Sequence, residues 1–298
     1  MDKENKLSLN KQIYPFYFVI GALVLYIILY VLPSVIGIYY SFTDWSRWSD
    51  SINFVGLKNF KTIFSRNQNY ILYITNTLKF TLITTVIKSV LGIAFALLVN
   101  RGIKYKNFHR AAIFFPAILS FLVTGLIFRS ILHPSMGFLN ETLRSLGLEF
   151  MAQKWLVDLK WVFKSLMAVD IWKGVGYIMT IYLAGLQSIP DIYYEAAEID
   201  GASNFKKFRH VTLPLLMPAI TITTVLNLIY GLRVFDIIYV LTGGGPGYTT
   251  EVLYSAVFRE FGQGTYAVGN ALSTVMVVFM VLIGYFIIRL FRKREVEM

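Results

Sequence analysis

Long apolar runs alternate with short polar ones along nearly the whole chain. Residues 16–40 carry no charge and are long enough to cross a hydrocarbon core of about 30 Å. Further apolar runs predict spans at about 74–99, 111–132, 162–187, 215–241 and 268–291. The first run is too long for the core of a secretory leader and lacks a small-residue cleavage site, so it is expected to be retained. Pro33 is expected to kink it. The pattern predicts an all-α, polytopic, six-helix protein in which residues 14–292 form the membrane domain and residues 1–13 and 293–298 are tails on one side. The polar stretches 41–73, 133–160 and 242–267 fall on the other side. Trp45 and Trp48 suit an interfacial belt there, and the glycines of TGGGPG, from Thr242, read as a turn.

One polar interruption, residues 188–214, has a pattern of its own. Pro190 suits a first helical turn, Asp191 and Ser203 are capping types, Gly201 is a breaker and Pro214 ends the segment. At helical spacing, Ile192, Ala196 and Ile199 share a face that Glu195 and Glu198 avoid, and Phe205, Phe208 and Thr212 share another after Gly201. This predicts helix, sharp turn, helix, with an apolar face on each half. Such a loop needs something to dock against.

Composition agrees with the pattern. Of 298 residues, 56% are hydrophobic and only 15% charged, where a soluble domain carries about 25% charge. The net charge of +11 is explained by its distribution rather than by nucleic acid. Fourteen Lys and Arg residues flank the spans on the side of both tails and 188–214, against 8 on the other side. That bias predicts a multi-pass plasma-membrane protein with both termini and the 188–214 loop in the cytoplasm.

Candidate chemistry is sparse. The absence of cysteine excludes disulfides and thiolate metal sites, and the three histidines, His109, His133 and His210, lie far apart, so no metal centre is expected. No phosphate-binding loop and no catalytic constellation is visible, so neither a bound nucleotide, another cofactor nor an enzymatic activity is expected. Asn140 to Thr142 matches a glycosylation triplet, as expected by chance.

Charges inside spans are costly unless paired, hydrated or able to snorkel. Lys79, Arg129 and Lys164 lie near span ends, whereas Lys88, Asp170 and Lys173 lie nearer the middle. Asp170 with Lys173, and Arg233 with Asp236, have the spacing of helical ion pairs facing the bundle; contact with a solute is the other reading. Asn227, Tyr230 and Gly231 share a face in the fifth run, suited either to a passage for hydroxyl-rich solutes or to interhelical hydrogen bonds at a glycine contact. An ion-coupled secondary transporter using Lys88, Asp170 and Asp236 as a relay would show inverted repeats, and none is visible.

Glu195-Ala196-Ala197, Asp200-Gly201-Ala202, Phe208 and Leu213-Pro214 resemble the EAA loop of ABC importer permeases. SFTDW and FVGLKNF after the first span, and FDIIYVLTGGGPGYTTEVL at the end of the fifth, resemble the carbohydrate-type permeases, the MalF-like partner in particular. The resemblance implies a type I importer transmembrane domain that moves a sugar or oligosaccharide by alternating access. It implies a second, MalG-like permease, two copies of a cytoplasmic ATPase that bind the ATP and magnesium, and an extracellular or periplasmic solute-binding protein. The loop from Glu195 to Pro214 would couple to the ATPase, with Gly201 giving the turn and Glu195 and Asp200 capping or pairing. Asp170 and Gly174, with Asn227, Tyr230 and Gly231, occupy positions of the family's substrate path. Arg233 leaves room for an acidic or phosphorylated solute, such as a uronate oligosaccharide or glycerol phosphate.

Overall fold

The computed structural model describes residues 16–65, 69–100 and 104–292; the tails 1–13 and 293–298 lie outside them. No β-strand occurs among the described residues, apart from an isolated bridge between Thr43 and Phe54. Helix α1 (Phe16–Tyr26) passes through a widened turn (Ile27–Val31) into α2 (Leu32–Tyr40). The irregularity expected at Pro33 therefore takes the form of a π-type turn just before it, because proline has no N–H to continue the ladder.

The chain continues through α3 (Lys58–Ile63), α4 (Tyr70–Asn100), α5 (Lys106–Ile118), α6 (Phe121–Ile131), α7 (Phe138–Ser145) and α8 (Val162–Gln187). It then forms α9 (Ile192–Ile199), α10 (Asn204–Lys207), α11 (Met217–Leu232), α12 (Asp236–Leu241), α13 (Leu253–Gln263) and α14 (Tyr266–Arg292). Four of these stretches are apolar and long enough to cross a membrane without a sharp break: Val19–Tyr40, Tyr70–Asn100, Val162–Gln187 and Tyr266–Leu290. Two bent pairs, Lys106–Ile118 with Phe121–Ile131 and Asn204–Leu215 with Met217–Leu232, bring the number to 6 if each is one span.

The bends correct the simple reading of two apolar runs. In the third, α5 and α6 meet at 97° rather than forming one helix over 111–132. Leu119 and Ser120 are extended, and the Ser120 hydroxyl caps α6 by accepting the Val123 amide at 3.2 Å. In the fifth, α11 stops at Leu232, and α12 restarts at Asp236 after a non-helical Arg233–Phe235. The connection 242–267 also holds more order than its glycines predict: α13 buries Leu253, Ala256, Val257 and Glu260 against α4 and α14. The positive φ of Gly243, Gly244 and Gly247 does form the expected turn. Asn140, the glycosylation-like asparagine, is buried and ties its loop together by donating to the Pro134 and Gln153 carbonyls.

Helix α8 is the centre of the bundle, flanked by α4, α5 and α11. Backbones approach closely there: a Cβ on Gly176 of α8 would meet the Ile113 carbonyl of α5, so only glycine fits. Toward the C-terminal end of α8, Tyr182 is fully buried and its phenolic oxygen accepts the Thr223 hydroxyl of α11 at 2.7 Å. From Val19 onward, α1 lies outside this packing, with its apolar side chains exposed on the chain's surface.

Candidate functional site

A cavity of about 370 Å³ opens between α4, α5, α8 and α11. Its wall contains Lys88 from α4, Asp170, Lys173 and Gly174 from α8, Asn227 and Tyr230 from α11, and Phe121 at the start of α6. Helical spacing accounts for the grouping. Lys173 and Gly174 lie three and four residues after Asp170, and Tyr230 three after Asn227, so each set lies on one face.

The cavity is organised by one carboxylate. Asp170 Oδ2 lies 2.6 Å from Lys88 Nζ, and Asp170 Oδ1 accepts the Tyr230 hydroxyl at 2.8 Å. Three helices are thereby tied at one residue. The Lys88 ammonium also sits 4.7 Å from the centre of the Tyr230 ring, and that ring stacks on Phe121 at 5.8 Å. Lys173 does not pair with Asp170, contrary to the spacing: its ammonium donates to the Ala117 carbonyl at 3.3 Å and lies 4.1 Å over Phe121. The reason is the closer cation: Lys88 reaches Asp170 across the helix interface, where the chain alone predicted a pair within α8.

The other expected pair is also absent among the described residues. Arg233 and Asp236 flank the break between α11 and α12, which destroys the helical spacing. Both are exposed; Arg233 faces the Tyr254 ring at 6.0 Å and does not line the cavity. Gly231 also lies off the cavity wall. A Cβ there would come within 2.9 Å of Thr81 on α4, so its place is a helix contact, while Asn227 and Tyr230 reach the cavity. Phe121 has no signal in the sequence, because only the 97° bend turns it inward.

The 188–214 segment forms the expected helix, turn and helix, but Asp191 makes no side-chain capping bond to α9, and Pro214 lies within a helical turn rather than ending the segment. Helix α9 is followed by Gly201 at φ 69°, then by α10, whose N-terminus Ser203 caps by accepting the Lys206 amide. A widened turn (Phe208–Thr212) and a further turn (Leu213–Leu215) lead into α11. Lys207 bridges to Glu198 at 2.8 Å, and Tyr194 shares a hydrogen bond with Thr212 at 3.1 Å, so the two halves are stapled. The Lys207 partner also holds the Glu198 carboxyl below its ordinary range. Ala197, Ala202, Phe208 and Leu213 are half-buried, whereas Glu195, Ala196 and Asp200 are exposed. Glu195 and Asp200 have no ion pair among the described residues. Ile199 is 88% exposed, Phe205 69% and Ile192 65%. An apolar tip of this kind is left without a partner in the monomer.

Residues 88–295 match the family model described as the binding-protein-dependent transport system inner membrane component. The chain belongs to that family. It is 35% identical over 301 residues to AmyD of Thermoanaerobacterium thermosulfurigenes, named a probable starch degradation products transport system permease protein, with 100% of each chain covered. It is also 35% identical to MsmF of Streptococcus mutans, a multiple sugar-binding transport system permease protein, over 94% of this chain and 95% of that one. Among solved structures, a bacterial ABC transporter involved in the import of the acidic polysaccharide alginate superposes with a TM-score of 0.81 at 24% identity, covering 97% of this chain and 99% of that one. The last likeness shows the shared fold. In this permease the α4–α8–α11 cavity and the stapled helix-turn-helix are thus features of one transport subunit.

Proposed function

We propose that this permease carries a sugar or oligosaccharide inward by alternating access, with the Asp170-centred cavity as part of the solute's path. The full-length likeness to permeases named for starch products and multiple sugars supports the class of cargo. Within the cavity, Asn227 offers an amide beside the stacked rings of Phe121 and Tyr230, a combination that suits polyhydroxy rings. Asp170 and Gly174 complete the wall; a side chain on Gly174 would collide with Lys88, whose Cε is 2.8 Å from such a Cβ.

The observation that carries the coupling half of the reading is the exposed apolar tip made by Ile192, Ile199 and Phe205. In the proposed assembly this tip seats in a cytoplasmic ATPase, two copies of which bind ATP and magnesium and serve this chain and a second, homologous permease. Glu195, Ala196 and Asp200 lie exposed beside it, and Phe208, Leu213 and Pro214 connect it to α11. Closure of the ATPase pair then moves the spans as rigid bodies. A solute-binding protein delivers the cargo from outside, in line with the family's description. The excess of Lys and Arg beside the 188–214 loop supports a cytoplasmic placing of that loop and of both termini. The chain itself has no catalytic role and no cofactor in this reading.

Deleting the gene for this chain and measuring uptake of labelled neutral and uronate oligosaccharides, maltotriose and trigalacturonate among them, tests the proposal. Loss of saturable uptake, restored by the wild-type chain, is expected. Uptake of every sugar tested that is indifferent to the deletion would overturn it.

A further inference from the structure

The donors in the cavity outnumber the acceptors. Asp170 is its only carboxylate, and both of its oxygens are engaged, one by Lys88 and the other by Tyr230. Lys173 is only 7% exposed and has no carboxylate within 4.0 Å among the described residues. A single carbonyl, that of Ala117, takes one of its three N–H donors, and the Phe121 ring faces its charge. Asn227 is 6% exposed, and its Nδ2 has no hydrogen-bond partner among the described residues. Two buried donor groups therefore border one cavity with unused capacity, and one of them is a lysine amine with no carboxylate at ion-pair distance among the described residues.

Buried donors left unmade are costly, and a buried cation more so. A group that satisfies both must offer several lone pairs and a negative charge. Neutral hydroxyls do the first only. We infer that the cargo is an acidic sugar, and that Lys173 with Asn227 receives its carboxylate while Phe121 and Tyr230 pack against the ring. This rests on the cavity being the sugar path proposed above, and narrows that path to a uronate-bearing solute. Arg233 has no part in the selection, since it faces away from the cavity. Lys88 has none either, because Asp170 already neutralises it.

The test measures binding to the intact importer, purified through a tag on this chain, reconstituted in nanodiscs and free of soluble binding protein. The probes are trigalacturonate and maltotriose, matched in length and differing in charge. Trigalacturonate is expected to bind at least about tenfold more tightly, as a hydrogen-bonded charge pair requires. Lys173→Gln is expected to erase that ratio, while Lys173→Arg, which keeps the charge, retains most of it. Asn227→Ala is expected to weaken trigalacturonate more than maltotriose. Equal binding of the two probes, or a preference that survives Lys173→Gln, overturns the acidic-sugar assignment and leaves the sugar path standing. Binding of neither probe overturns the sugar path itself.

Discussion

Lys88 and Asp170 meet at 2.6 Å between α4 and α8, with side chains 3% and 1% exposed. They come from positions far apart in the chain, and Tyr230 of α11 closes the group from a third helix. A buried ion pair of this kind contributes less to stability than to arrangement, since desolvation offsets much of the attraction. Its main effect is to fix which faces of three helices meet.

Removing one partner should be far worse than removing both. Lys88→Met is expected to cost about 3–5 kcal/mol, because it leaves the Asp170 carboxylate buried with only a phenol. The double variant Lys88→Met, Asp170→Leu is expected to recover much of that loss. Thermal unfolding in detergent reads both; single effects that simply add in the double variant would show that the two side chains act independently.

Gly201 separates folding from coupling. It sits at φ 69° with open space where a Cβ would go, and aspartate enters the left-handed region more readily than most residues. Gly201→Asp is therefore expected to insert and fold normally but to leave ATP hydrolysis uncoupled from uptake. Paired ATPase and uptake assays on the same membranes check it, and normal uptake would refute the docking role.

Helix contact through Gly176 predicts a contrast between two glycines. Gly176→Ala pushes a methyl into the Ile113 carbonyl, which should cost about 1–3 kcal/mol as α5 and α8 separate. Gly21→Ala, where nothing lies within 4 Å, should shift stability by less than about 0.5 kcal/mol. Unfolding midpoints of the two variants side by side give the answer.

Arg259 of α13 holds two buried carboxylates, Glu251 at 3.6 Å and Glu260 at 3.4 Å. Arg259→Met leaves both unpaired and is expected to cost about 3 kcal/mol at neutral pH. Burial already pushes the Glu251 carboxyl above its ordinary range. A carboxyl raised in the folded state binds protons more readily there than when unfolded, so stability rises as pH falls through the raised range and declines as it climbs. The defect of Arg259→Met should accordingly be smaller at pH 5 than at pH 8 in thermal melts. A defect independent of pH would mean that the arginine acts by packing alone.

The sequence by itself determined a great deal. Six apolar runs, the bias of Lys and Arg, and the punctuation of residues 188–214 follow from local rules: length against bilayer thickness, charge against the membrane, proline and glycine against the helical ladder. Those rules act within a few residues, so they are legible along the chain. For the same reason Ile192, Ala196 and Ile199, and after Gly201 Phe205, Phe208 and Thr212, read as two apolar faces; the structure leaves the first three and Phe205 exposed but half-buries Phe208 and buries Thr212. Pairing between helices was not legible. Spacing on α8 pointed to Asp170 with Lys173, and only the packing of α4 on α8 gave Asp170 to Lys88 instead. The break at Arg233–Phe235 and the 97° bend before Phe121 likewise had no periodic signature, yet one turned Arg233 away and the other turned Phe121 in. A helical pattern states which residues share a face; which face meets which is settled by close approach of backbones, as at Gly176, and by burial of charge, neither of which is a property of any one stretch of chain.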